Sequence, residues 1–382
     1  MSDTGATVHW LGAGLSSGPG IVALAERRGR VVLWNRTVAK AEAVCSHAAE
    51  GADLQARALD LDALAAAAQP GDVLVSMLPG DMHATVARIA LSAGANMVTT
   101  SYLSDEMAAM DGEAREKGLC VVNEVGLDPG IDHLFAHLLV DAAGRAEVLG
   151  QGRKIDFVSH CGGFPAQPVP FTYKFSWAPL GVLTALRNQA RCIADGGERI
   201  VDKPWTAAKN LDVRGETFQV YANRDSLPYI ADYGLDGESN LNSFVRGTLR
   251  MDGWTEAWAD IFPVVEEGDL DKLRALSQRL WDEHAYGADE EDRVLLYVAL
   301  TATGDDGETW HGSLALDETG TGFNTAMART VSLTCAQAIG AVLDGRMAPG
   351  VAAGTRDVAE ARRWLAGLAE DGVRVLAEGV DV

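Results

Sequence analysis

Along the first third of the chain, short apolar runs alternate with longer Ala-rich stretches whose polar positions recur at helical spacing. The runs 7–11 (TVHWL), 30–37 (RVVLWNRT), 54–62 (LQARALDLD), 72–79 (DVLVSMLP), 95–102 (ANMVTTSY) and 118–122 (GLCVV) read as strands, and 37–49, 82–93 and 104–117 read as helices between them. Strands that alternate with helices predict an α/β fold built on a doubly wound parallel sheet. The rhythm stops after residue 150, and over 205–262 aromatic and polar residues alternate as they do in strands. Residues 325–344 are apolar on nearly every side, which predicts a buried helix.

The first strand meets the first helix in LGAGLSSGPG (11–20). Gly12 and Gly14 take the first two positions of G-x-G-x-x-G, the third falls on Ser17 with Gly18 one residue later, and Pro19 suits a first helical turn. The first glycine permits the tight turn and the second lets a pyrophosphate approach the backbone, so Gly12, Gly14, Leu15 and Ser16 are expected to touch a dinucleotide. An ordinary tight turn would use the same glycines, but the strand–helix units around this one favour the dinucleotide. At the tip of the second strand, WNRT lacks the Asp or Glu that accepts from a ribose 2′-hydroxyl in NAD sites. Arg36, with Thr37 beside it, can stack on adenine and pair with a 2′-phosphate, so NADP(H) is expected over NAD(H). The plainer alternative is a solvated Arg36 ahead of a helix capped by Thr37. Asp60 either reaches the adenine side or caps the next helix, and Met77, Leu78 and Pro79 are expected to wall the nicotinamide-side ribose.

The 382 residues suffice for two domains, and 47% hydrophobic content fits a globular protein with a real core. No apolar run of ~18 residues stands out, and the N-terminus lacks a basic stretch followed by an apolar one. The expectation is a cytoplasmic protein with no membrane partner. A formal charge of −22 repels phosphate backbones, which excludes nucleic acid, and an anionic substrate would need a local cluster of Arg and Lys. Five cysteines, at 45, 120, 161, 192 and 335, form no C-x-x-C pair, which argues against disulfides and a structural zinc site. His133 and His137 stand four apart, but Leu134 follows His133 and no third ligand is evident, so no metal is expected.

Chemistry-bearing residues concentrate in NEVGLDPGIDH (123–133), directly after the sixth strand. This block, with TTSYLSDEM (99–107), SHCGGFPAQPVPFTYKFSWAPLGVLTALRNQA (159–190), YANRDSLPY (221–229) and FVRGTLRMDGW (244–254), resembles in order the motifs of the saccharopine reductase family, also called saccharopine dehydrogenase, L-glutamate-forming. The resemblance implies a Rossmann-like domain over 1–130 and a substrate-binding and dimerisation α/β domain over 131–325. It further implies C-terminal helices over 326–382 that return to the Rossmann domain, and a homodimer. The stretch between the 244–254 block and GTGFNTAMA (320–328) is shorter than in fungal members, without their helical insertion.

By the same resemblance, the reaction interconverts saccharopine with glutamate and 2-aminoadipate 6-semialdehyde through an imine, hydride passing between nicotinamide and the imine carbon. Saccharopine carries three carboxylates, for which Arg224 and Arg246 are the leading partners, with Thr248 beside them and Arg250 and Lys174 in reserve. Either arginine could instead be solvated or internally paired. Asp128 is expected to bind the secondary amine, to move a proton through a water, and with Leu127 to meet the cofactor; a helix N-cap is its alternative. Ser101 and Tyr102 are expected to contact substrate and cofactor, Tyr102 by donating to a carboxylate. Cys161 is expected near the reacting centre, though imine reduction needs no nucleophile and simple packing is its alternative. Phe175 and Ser176 read as pocket lining, with core packing the alternative for the phenylalanine. Two competing readings are a carboxynorspermidine-type C–N dehydrogenase and a dinucleotide-binding sensor without turnover.

Overall fold

The computed structural model describes residues 5–176 and 179–381; Trp177 and Ala178, inside the 159–190 block, and the first four residues lie outside them. In chain order the first strands are β1 (Val8–Leu11), β2 (Val31–Asn35), β3 (Leu54–Ala58), β4 (Val73–Ser76), β5 (Asn96–Val98) and β6 (Cys120–Asn123). Then come β7 (Lys154–Pro165), β8 (Ala190–Ala194), β9 (Gly197–Val201), β10 (Lys209–Val213), β11 (Glu216–Ala222) and β12 (Leu241–Met251). The last are β13 (Asp292–Thr303), β14 (Thr309–Gly320), β15 (Gly350–Ala353) and β16 (Leu376–Glu378). The chain divides into two units, Met1–Leu134 with Ala328–Val373, and Phe135–Met327 with Arg374–Val382. The expected return of the C-terminal helices to the first unit therefore ends at Val373. Beyond it, β16 pairs with β14 and closes an edge of the second unit's sheet.

In the first unit seven parallel strands run in the order β15-β6-β5-β4-β1-β2-β3. β1 and β4 are buried along their whole length, which is why they read as mainly apolar runs. The winding reverses between β1 and β4, and in such sheets the crevice beyond the carboxyl ends at that point takes the ligand. Register pairs Leu11 with both Trp34 and Ser76, so Gly12, Asn35 and Met77, which follow them, are neighbours at that end. The six strands read from the sequence are all present. β15 was not legible, because GVAA is short and small. The expected helix over 104–117 is two, Asp105–Ala108 and Asp111–Lys117; the turn between them lets Met107 and Met110 both face the core.

The buried helix is Ala326–Leu343. By length and composition it is sufficient to cross a membrane, which corrects the expectation that no such stretch exists; 67% of it is buried inside the protein, as for a core helix. It crosses the first helix, Gly18–Arg28, at Gly20, whose N–H donates to Ser332 Oγ at 2.8 Å. A Cβ on Gly20 would stand 2.1 Å from the Ser332 carbonyl oxygen. The close helix approach allotted by the fingerprint to its third position is thus made at Gly20.

The second unit is built on a mixed sheet in the order β10-β11-β12-β7-β13-β14-β16, with β8 on β12 and β9 on β8. Only β12 and β7 run parallel within it, among the described residues. An aromatic cluster of Tyr173, Phe175, Tyr221, Trp254 and Trp258 packs with the helix Leu270–His284, which buries Leu273, Leu276 and Leu280. Asp269 caps that helix, accepting from the Asp271 and Lys272 N–H groups.

Candidate active site

At the carboxyl end of β1, Gly12 has φ +107°, and a Cβ there would meet the Met77 carbonyl oxygen at 2.8 Å. A Cβ on Gly14 would find nothing nearer than Ser17 Oγ, at 4.0 Å, which leaves the second glycine open to an approaching group. The helix behind it begins at Gly18, its cap residue Ser17 makes no side-chain cap bond, and Ser17 Oγ is buried with no hydrogen-bond partner among the described residues. An open backbone cradle, an unspent hydroxyl and a helix N-terminus together fit a dinucleotide pyrophosphate. Leu15 is exposed and Ser16 half-buried on the same loop.

Asn35 stands where an acid would accept from a ribose, and its side chain is spent on the loop itself. Its Oδ1 accepts from the Ala13 N–H at 3.1 Å and its Nδ2 donates to the Thr37 carbonyl. Arg36 is exposed and, among the described residues, pairs with no carboxylate. Thr37 takes the N-cap position of the helix Val38–Cys45 but makes no side-chain cap bond. Asp60 does cap, accepting from the Asp62 and Ala63 N–H groups, so of its two expected roles the structure displays the cap. Met77 packs against Gly12 and receives the Thr100 hydroxyl on Sδ, Leu78 is half-buried beside it, and Pro79 is exposed.

Beyond β5 and β6 the structure brings two expected residues into contact: the Tyr102 hydroxyl donates to Asp128 Oδ1 at 3.0 Å. The next helix begins at Ile131, with Gly130 at the cap position, and the Gly130 N–H goes to Asp132 Oδ1. The Asp128–Pro129 peptide is cis. Leu127 is buried in the same loop. A Cβ on Gly130 would fall 2.0 Å from the Gly126 carbonyl oxygen, so the loop admits only glycine there.

Two buried groups escaped the sequence reading. Glu124, at φ +58°, accepts from the Leu103 N–H at 2.8 Å and hydrogen-bonds His133 Nε2 at 2.8 Å, and so braces the turn that carries Tyr102. His83 links Ser76 Oγ, at 2.8 Å, to Ser101 Oγ, at 2.7 Å. Neither has a sequence signal beyond standing within a noted block. His137, expected as no metal ligand, meets the Tyr233 ring edge-on in the second unit.

In the second unit, strand register assembles the remaining candidates. Thr248 pairs with Tyr221 on one side and Cys161 on the other, so the three share one face; Arg246 and Arg250 lie two residues either way on that face. Arg246 is 4% exposed, and its guanidinium lies 3.9 Å from the centre of the Tyr229 ring. The turn after β11 carries Arg224, at φ +59° and exposed, and is tied to β12 by the Asn223 N–H donating to the Arg246 carbonyl. The two leading arginines thus sit on adjoining backbone. Arg250 is boxed by Tyr173, Tyr221 and Trp254, with Nε unbonded among the described residues. Lys174 is committed to Glu290 at 2.5 Å. Phe175 packs in the aromatic cluster, its core alternative, while Cys161, Thr248 and Ser176 are half-buried. Behind this face, His160 is wholly buried, and burial followed by the nearby Lys209 pushes its imidazole down to about 4.

Comparison with known proteins places the chain in a family. Residues 8–122 match the family model of the saccharopine dehydrogenase NADP binding domain, and residues 126–373 that of the saccharopine dehydrogenase C-terminal domain. The chain is 37% identical over 257 residues to saccharopine dehydrogenase [NADP(+), L-glutamate-forming] of Pyricularia oryzae, covering 65% of this chain and 55% of that one. It is 36% identical over 259 residues to the protein of the same name from Saccharomyces cerevisiae, covering 66% and 56%. The chain thus spans little more than half the length of these curated relatives. An apo saccharopine dehydrogenase (L-Glu forming) structure from Saccharomyces cerevisiae superposes with a TM-score of 0.80 at 26% identity, over 98% of this chain and 100% of that one. A glycine cradle with an NADP binding domain around it and a C-terminal domain over most of the remainder leave one assignment: the chain belongs to the saccharopine dehydrogenase family.

Proposed function

We propose that this protein interconverts saccharopine with L-glutamate and 2-aminoadipate 6-semialdehyde, using NADP(H). The observation that carries the reading is the Tyr102–Asp128 hydrogen bond at the carboxyl edge of the parallel sheet, formed between two of the motifs that mark the family. When bound, NADP(H) supplies or accepts the hydride at the carbon next to nitrogen. Gly12, Gly14 and the N-terminus of the helix Gly18–Arg28 hold its pyrophosphate, and Arg36 pairs with the 2′-phosphate.

Asp128 receives the secondary amine as a charge-assisted hydrogen bond, and the Tyr102 hydroxyl fixes the carboxylate's orientation. Protons for carbinolamine and imine pass through a water held at Asp128. Arg224 and Arg246 bind carboxylates two-pronged, which suits a tricarboxylic substrate better than a polyamine with one carboxylate.

The test is spectrophotometric: purified protein with saccharopine and NADP⁺ or NAD⁺, followed by the absorbance of reduced nicotinamide, then the reverse reaction. Turnover with NADP⁺ preferred supports the whole reading. Turnover with NAD⁺ alone overturns the role given to Arg36. No turnover, with NADPH still bound, overturns the substrate and turns attention to other carboxylated amines.

A further inference from the structure

One histidine outside the roles assigned above connects the ends of two strands. His83 opens the helix His83–Ala93 and is 5% exposed. Its Nδ1 lies 2.8 Å from Ser76 Oγ and its Nε2 lies 2.7 Å from Ser101 Oγ. Ser76 ends β4, and Ser101 follows β5 one residue before Tyr102. Thr99 clips the same two strand ends together, its hydroxyl donating to the Ser76 carbonyl while its Oγ1 accepts from the Ser101 N–H.

Proton counting gives this line a direction. Burial holds the His83 imidazole below its ordinary pKa against a smaller opposing pull from Asp81, so the ring is neutral and carries one proton. Ser76 is fully buried, and among the described residues its hydroxyl bonds only to His83 Nδ1. A buried hydroxyl proton goes to an acceptor, so Ser76 donates to Nδ1. The ring proton is therefore on Nε2, and Nε2–H donates to Ser101 Oγ. The opposite tautomer would strand the Ser76 proton in the core. Ser101, half-buried and with no second side-chain partner among the described residues, keeps its own proton for something else.

We propose that His83 is a positioning residue that makes Ser101 an obligate hydrogen-bond donor toward an acceptor oxygen of the bound ligand. Two sources share that chemistry, a carboxylate of the substrate and the carboxamide of the cofactor. The inference rests on the proposed reading of the site for its ligands, and on the Ser76–His83–Ser101 geometry for its direction.

A double-mutant cycle on the full chain tests it, with Ser101→Ala, His83→Leu and the pair, reading both kcat/KM for saccharopine and the Kd of NADPH by fluorescence. Each single change is expected to lower one of the two by about tenfold, and the pair to lose no more than Ser101→Ala does. Loss confined to kcat/KM identifies the substrate oxygen, and loss in Kd identifies the cofactor's. His83→Gln, whose amide can accept from Ser76 and donate to Ser101, is expected to recover most of the loss. If His83→Leu does not fold, Ser76→Ala replaces it, because without the Ser76 proton the ring takes either tautomer and the same parameter falls by a smaller factor. Losses that multiply in the double variant, or a harmless Ser101→Ala, overturn the relay. If the wild-type chain does not turn over saccharopine, the functional reading fails separately and the substrate oxygen falls with it; the NADPH cycle then decides for the cofactor's, coupled losses supporting the relay and independent losses, or none, overturning it.

Discussion

At Asp128 a carboxylate is hydrogen-bonded to a phenol, and in the proposed reaction its charge is what binds the amine. Asp128→Asn keeps the shape and removes the charge; kcat/KM is expected to fall about a hundredfold while the melting temperature holds, and an unchanged kcat/KM would sink the role. Arg36 is a cleaner probe of the cofactor, since no partner among the described residues loses anything with it. Arg36→Ala is expected to raise the KM for NADPH about tenfold and leave that for NADH alone, as steady-state kinetics with both would show. These two residues were legible because their types announce charge at a strand end. Glu124 and His83 were not, since a buried Glu or His is defined by partners that only the fold supplies, here the Leu103 N–H with His133 and a pair of serines.

At the scale of elements, the parallel strands were plain in the sequence for a reason specific to their burial. β1 and β4 have no solvent face, so apolar residues dominate them, and their polar members, His9 and Ser76, are buried with side-chain partners of their own. β15 carries no such run, since GVAA buries only its first residue and the rest is half-exposed. Helix packing was partly visible. The glycine-rich start was evident, but the position where glycine is indispensable for helix approach, Gly20, is fixed by a helix three hundred residues away. Gly20→Ala would drive a methyl into the Ser332 carbonyl, and is expected to lower Tm by about 4–8 °C on thermal unfolding, with NADPH affinity falling as the helix that follows the cradle shifts.

Across the whole molecule, acid is expected to act first through buried histidines. His160 holds a folded pKa of about 4 against an ordinary 6.5, so below 6.5 the unfolded chain takes up a proton that the folded chain refuses. Stability contributed by this group is complete above pH 6.5 and declines as pH falls toward 4, by about 3 kcal/mol in all. His83, also depressed by burial, acts in the same direction. Asp72 is lowered below its ordinary value: burial raises it, but His9 and the N–H groups of Thr7 and Gln69 outweigh that, so its contribution is lost only at still lower pH. Denaturant unfolding at pH 7 and pH 5 should show the drop, and His160→Gln should shrink it. A drop of equal size in that variant would remove His160 from the account.

The division of the chain has a consequence for how the protein is made. Residues 135–327 are inserted between the two parts of the first unit, so β15 and most of the buried helix leave the ribosome after nearly all of the second unit. At ribosomal speed the interval is roughly 10–40 s. For that time the nascent first sheet presents β6 as an open edge and lacks the helix that covers Gly20, while the inserted unit has most of its own sheet in hand. The order of completion during synthesis is thus inverted relative to the order of the sequence: the domain that starts first is the one whose last strand and covering helix arrive late.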